Sequence, residues 1–162
     1  RCFSNLLVRV FSLALFFYTG VKRSSTKILD EHQKKVSEGE KSVTEYRHRV
    51  KAIGREIISA FENGNLDRFG ALLNEHWEAK KSSSASVTLG FIDSLYNQAQ
   101  GEGMLGGKIF GAGGGGFFMA FAKKNSVEDV RRVFVEAGLK EVLMKIDEEG
   151  TVKLFDSAAE NS

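Results

Sequence analysis

Lys108-Ile109-Phe110-Gly111-Ala112-Gly113-Gly114-Gly115-Gly116-Phe117-Phe118 is the stretch on which the reading of this chain turns: a segment almost bare of side chains, set between two apolar runs. Glycine has no Cβ, so it takes positive φ and lets another group approach its N–H closely, at an added entropy cost on folding. Five glycines among residues 111–116 therefore need a reason. One reading is a loop whose backbone N–H groups face a phosphate or an anionic intermediate. The other is a tight hairpin. The residues alone leave both open, since residues 108–110 and 117–122 read as neighbouring antiparallel strands in either case.

Two common phosphate motifs fail here. Gly111-x-Gly113-x-x-Gly116 has the spacing of a dinucleotide fingerprint, but that motif needs a helix directly after it and an acid at a strand end about twenty residues on. Phe117 opens a strand, and Glu136 falls in a predicted helix. A Walker A loop needs a hydroxyl after Gly-Lys to hold magnesium, and Gly107-Lys108 is followed by Ile109.

Working outward, residues 6–18 form a continuous apolar run, too short to span a bilayer and interrupted by Arg9. It reads as a buried strand. Thr19-Gly20 marks a turn, and residues 22–36 read as a weakly amphipathic helix. Val43, Tyr46, Val50, Ile53, Ile57 and Phe61 recur at three and four residues and define a strong amphipathic helix that ends at Asn63-Gly64. Asn65 is placed to cap the next helix, with Leu66, Phe69, Leu72, Leu73 and Trp77 on one face as far as about Lys81. A serine run over residues 82–86 separates it from a helix over residues 88–100. Beyond the glycines, Ser126 is placed to cap a helix, with Asp129 at the reciprocal position and Gly138 as its stop. Val142, Met144 and Ile146, then Val152 and Leu154, alternate as two final strands, and a solvated tail occupies residues 157–162.

This order predicts an α+β domain: a mainly antiparallel sheet covered by helices on one face, with a ferredoxin-like split βαβ arrangement and additional helices. The 162 residues suit one domain with a real core. The charge is +2, from 23 basic and 21 acidic residues mixed along the chain, without the basic stripe of a nucleic-acid footprint. One cysteine, Cys2, and three scattered histidines give neither a disulfide nor a zinc spacing, and a cytoplasmic setting is expected. Arg1 in place of methionine and the absence of proline suggest a fragment.

At every position, residues 108–116 match the Lys-x-x-Gly-Ala-Gly-x-Gly-Gly loop in the C-terminal domain of the GHMP kinases, and the chain resembles that superfamily. Phe17-Tyr18-Thr19-Gly20, Glu75-His76-Trp77, Lys80 and Ile92-Asp93-x-Leu95-Tyr96 are similar to the branch of D-glycero-D-manno-heptose 7-phosphate kinases and related sugar-1-kinases. The resemblance covers residues 16–156 and leaves residues 1–15 as an apolar segment of uncertain standing.

The resemblance implies transfer of the ATP γ-phosphoryl to a sugar or sugar phosphate, at the anomeric hydroxyl, with Mg2+ spreading the developing charge. It places the serine-rich ATP loop, the magnesium ligand and any catalytic base in an N-terminal kinase domain outside this chain, so no catalytic residue is assigned here and the fragment alone is expected to be inactive. Gly111, Ala112, Gly113, Gly114, Gly115 and Gly116 would border the transferred phosphate, or else only shape the domain interface. Lys108 could meet an anionic substrate or stand solvated. Lys22, Arg23, Ser24 and Ser25 could bind a sugar phosphate or form a solvated first turn. His76 could hydrogen-bond a sugar, while Trp77 belongs with the core. Asp93 is a substrate contact or a surface residue, and Glu148-Glu149 is turn chemistry. The alternative to a kinase is a non-catalytic ferredoxin-like module that binds small molecules.

Overall fold

The computed structural model describes residues 2–21, 41–83, 90–110 and 115–145. The predicted helix at residues 22–36, residues 111–114 of the glycine-rich stretch and the strand at residues 152–154 lie outside them. The elements in chain order are α1 (Cys2–Leu13), β1 (Ala14–Tyr18), α2 (Lys41–Glu62), α3 (Leu66–Ser83), α4 (Gly90–Gly101), β2 (Met104–Ile109), β3 (Phe117–Ala122), α5 (Val127–Glu136) and β4 (Lys140–Glu141).

The sheet runs β2-β3-β1-β4 with antiparallel neighbours throughout. Placing the first strand between the third and the last is the ferredoxin-like order that the sequence predicted. Ala14 pairs with Phe121 and Tyr18 with Phe117, while Lys108 pairs with Met119 across the glycine connection.

Side chains alternate across a strand, and here both faces are covered. Leu15, Phe17, Phe118, Ala120 and Ala122 pack with α4 and α5, where Phe17 stacks on Phe134 at 4.6 Å between ring centroids. Ala14, Phe16 and Phe121 pack with α1, α2 and α3. The expected one-face cover is thus corrected: the four consecutive buried residues Ala14 to Phe17 have apolar neighbours on each side.

The strand expected over residues 6–18 is also corrected. Only Ala14–Tyr18 is strand, and Cys2–Leu13 is helical, with Leu6, Val10, Phe11 and Leu13 laid on the core and Arg9 exposed. Among the described residues the last sheet strand is likewise Lys140–Glu141, and residues 142–145 of the predicted strand lie beyond it, although the Val142 N–H still donates to the Phe16 carbonyl at 2.8 Å.

The predicted caps divide. Asn65 Oδ1 accepts from the Arg68 N–H at 3.0 Å, as expected of an N-cap. Ser126 sits at the start of α5 but makes no side-chain cap bond, because a short 3₁₀ turn over Lys124–Ser126 leads the chain in and sets the Ser126 hydroxyl against Gly103.

Glycine acts by close approach where α3 meets β2. A Cβ on Gly106 would lie 2.2 Å from the Gly70 carbonyl oxygen and 2.6 Å from the Asn74 nitrogen, so backbone rests on backbone there. Tyr96 locks the same junction from α4. Its hydroxyl donates to Asn74 Oδ1 at 2.8 Å and accepts from the Gly107 N–H at 3.1 Å. Burial raises the phenol pKa, keeping that donor protonated.

Candidate functional site

Gly115 and Gly116 close the glycine-rich segment, and both are fastened to the turn that follows β1. The Gly116 N–H donates to the Val21 carbonyl at 2.9 Å, and the Gly116 carbonyl accepts from the Thr19 N–H and from Thr19 Oγ1, each at 2.9 Å. Gly115 adopts φ +150°, and a Cβ there would meet the Val21 oxygen at 2.5 Å. The Gly116 N–H is therefore engaged by the protein. These bonds also bring the chain to Val21, immediately before Lys22, Arg23, Ser24 and Ser25, which lie outside the described residues together with Gly111, Ala112, Gly113 and Gly114.

On the approach to the loop, Lys108 shares with Gly106 the face of β2 that looks toward α3. His76 and Lys80, one turn apart on α3, share its electrostatic environment. Burial, then the Lys108 ammonium, then Lys80 push the His76 imidazole down to about 4, so it is neutral at pH 7. Burial and then Lys108 bring the Lys80 ammonium down to about 8. Burial lowers Lys108 too. Lys80 is only 7% exposed, and His76 Nδ1 is buried without a hydrogen-bond partner among the described residues.

Neighbouring motif residues are otherwise employed. Trp77 is fully buried and stacked on Tyr96 at 5.6 Å, the core role expected of it. Glu75 is paired with Arg49 of α2 and, at 2.8 Å, with Arg68. Asp93, in the first turn of α4, has a buried Oδ1 with no hydrogen bond among the described residues, and Lys81 Nζ lies 4.0 Å away.

The structure thus brings His76 and Lys108 together and adds Lys80, a motif residue with no site role expected from the sequence. The signal was present: a lysine one turn beyond a histidine, on the side of α3 that buries Leu73 and Trp77. A separate cleft of about 600 Å³ between α2 and α3 is lined by Glu45, Arg49, Glu75 and Glu78 and includes none of these basic residues. Among the described residues there is no group of three or more His, Cys, Asp or Glu side chains that could hold a metal ion.

The family model described as GHMP kinases C terminal matches residues 57–140. The chain belongs to this family. The GHMP kinase match takes in α3, α4, the glycine loop and α5, so the basic cluster and the loop both fall within it. Among curated relatives, a mevalonate kinase of Aeropyrum pernix is 32% identical over 134 residues, covering 82% of this chain and 40% of that protein. A D-glycero-alpha-D-manno-heptose 7-phosphate kinase of Campylobacter jejuni is 28% identical over 122 residues, covering 73% and 35%. The crystal structure of a Lin0012 protein from Listeria innocua superposes with TM-score 0.72 at 21% identity, over 80% of this chain and 38% of that one, a likeness of fold. The chain spans less than half the length of the two curated relatives and of that solved structure. No helix among the described residues is long and apolar enough to cross a membrane.

Proposed function

We propose that this chain is the C-terminal part of an ATP-dependent kinase that phosphorylates a sugar or sugar phosphate, of the heptose 7-phosphate type, at its anomeric hydroxyl. The observation that carries the reading is the Lys108–Gly116 motif, set between β2 and β3 and fastened at Gly116 to the Thr19–Val21 turn. That anchorage supports a fixed rim for a phosphoryl-transfer site, where catalysis depends on positioning and on donors aimed at developing charge. In this reading residues 111–115 offer backbone N–H groups toward the transferred phosphate. Gly116 holds the loop.

Lys108, His76 and Asp93 face the acceptor, with Asp93 Oδ1 able to accept from a hydroxyl, and Lys22, Arg23, Ser24 and Ser25 approach from the turn. ATP is the co-substrate. The ATP-gripping loop, the Mg2+ ligand and the catalytic base belong to an N-terminal domain, and the setting is cytoplasmic. The 28% identity to the heptose 7-phosphate kinase and the Glu75-His76-Trp77 and Ile92-Asp93 segments support the sugar branch. A second reading, an acceptor alcohol of the mevalonate kind, is favoured by the 32% identity to the Aeropyrum pernix enzyme.

The test is ATP turnover by the polypeptide with its N-terminal domain supplied in cis or in trans, against a panel of sugars, sugar phosphates and mevalonate, with the product read by 31P NMR. An anomeric phosphate is the expected product. Phosphorylation of mevalonate alone would favour the second reading, and failure with the whole panel would favour a binding module without catalysis.

A further inference from the structure

We propose that Trp77 and Asp93 hold one buried water molecule between α3 and α4, with Lys81 as its third partner. The site does not depend on the kinase reading, and its test does not use phosphoryl transfer.

Two polar atoms at the junction of these helices have no hydrogen-bond partner among the described residues, and they are opposite in kind. Trp77 Nε1 is a donor only, on a side chain with no exposed surface, and Asp93 Oδ1 is a buried acceptor. A buried donor or acceptor left unmet costs the desolvation of that group, which is why native structures keep few of them. Packing brings the two atoms into one corner of the helix pair. Trp77 stacks on Tyr96 at 5.6 Å, and Asp93 precedes Tyr96 by three residues, on the same face of α4. Lys81 follows Trp77 by four residues along α3, and its Nζ lies 4.0 Å from Asp93 Oδ1. That separation is too long for a hydrogen bond and is the kind of gap a water spans. Lys81 donates to Glu78 Oε1 at 2.7 Å, and an ammonium has three N–H donors, so it can serve a second partner. A water in this corner accepts from Trp77 Nε1–H and from Lys81 and donates to Asp93 Oδ1, which makes about three bonds, the usual number for a buried water.

These partners also select the occupant. A cation would meet the indole N–H and the Lys81 ammonium, and an anion would meet the Asp93 carboxylate. A neutral molecule that both accepts and donates suits all three, and the full burial of Trp77 limits it to about the size of a water. A carboxylate accepts several bonds, so Asp93 can hold this water and still meet a hydroxyl of an acceptor. The water ties the first turn of α4 to α3, one turn before the Tyr96 hydroxyl that holds Gly107.

The chain contains one tryptophan, so its indole N–H gives a single signal in the NMR spectrum of the 15N-labelled chain. A water-selective NOE experiment is expected to show a direct cross-peak from water to the Trp77 indole proton. Asp93→Leu removes the acceptor and should abolish that cross-peak and speed exchange of the indole proton with solvent by about tenfold or more. Asp129→Asn, at an exposed acid of α5, should leave both as they are. The wild-type cross-peak keeps the test decisive should Asp93→Leu fail to fold. A crystal structure is expected to place one water oxygen within about 3 Å of Trp77 Nε1, Asp93 Oδ1 and Lys81 Nζ. Absence of the cross-peak in the wild-type chain overturns the proposal, as does a direct bond from Trp77 Nε1 to Asp93. Replacement of the cross-peak by contacts from sugar protons on adding a hexose 6-phosphate would assign the position to a ligand hydroxyl and overturn the water.

Discussion

Thr19 holds Gly116 twice, through its backbone N–H and through its Oγ1 hydroxyl, both donating to the Gly116 carbonyl at 2.9 Å. With the return bond from Gly116 N–H to Val21, the end of β1 and the start of β3 become one rigid corner. Thr19→Val keeps the shape and removes the hydroxyl, which donates to the Gly116 carbonyl and accepts a longer bond from the Val21 N–H at 3.4 Å. Chemical denaturation should show a loss of about 1 kcal/mol, the usual net worth of one such bond. An unchanged midpoint would mean that the backbone bond alone carries the corner.

The Gly106 contact predicts a larger effect. Gly106→Ala sets a methyl against the backbone of Gly70 and Asn74, and α3 must move as a unit to admit it, at a cost of about 3 kcal/mol by thermal or urea unfolding. Gly54→Ala is the contrasting variant. Gly54 lies inside α2 with nothing within 4 Å of an added Cβ, so helix propensity alone should raise stability by up to about 1 kcal/mol.

Tyr96→Phe deletes the hydroxyl shared by Gly107 and Asn74 while leaving the ring stacked on Trp77. The buried Gly107 N–H then lacks its partner, which should cost about 1–3 kcal/mol. Amide exchange at Gly107 should accelerate in the same variant, and retained protection would contradict this role.

His76 predicts an acid-side loss of stability. The unfolded chain binds this proton near the ordinary 6.5, whereas burial, Lys108 and Lys80 hold the folded imidazole at about 4. Between those values the unfolded state carries more protons, so stability is complete above 6.5 and falls as the pH drops toward 4. Measured from pH 7 to 4, His76→Gln should flatten that part of the profile, and an identical slope in the variant would contradict the assignment.

Much of the fold was legible in local pattern. The three-and-four spacing through Ile53, Ile57 and Phe61 gave α2, Asn65 gave the start of α3, and the apolar runs around the glycines gave β2 and β3. Residues 6–18 misled because a continuous apolar run is consistent with either a buried strand or a helix, and the spacing of Leu6, Val10 and Leu13 carried the helical sign. Ser126 had the right residue type, but the 3₁₀ turn before it is a property of the chain's path from β3. At the site, the motif marked the loop, and His76 and Lys108 were named singly. Their grouping with Lys80 depends on the register of α3 over β2, which Gly70 and Gly106 fix by contact across 36 residues of sequence.

The central claim, that the glycine segment is one wall of a phosphoryl-transfer site, is tested most directly by γ-phosphate transfer from labelled ATP to a sugar phosphate. The assay compares the polypeptide carrying its N-terminal domain with the same polypeptide bearing Gly113→Val. Anomeric phosphorylation is expected, falling by about 10²–10³-fold in the variant, the scale of losing donors at developing charge, with the unfolding midpoint preserved. Equal transfer rates in the two proteins, or no transfer to any acceptor by the unsubstituted one, would contradict it.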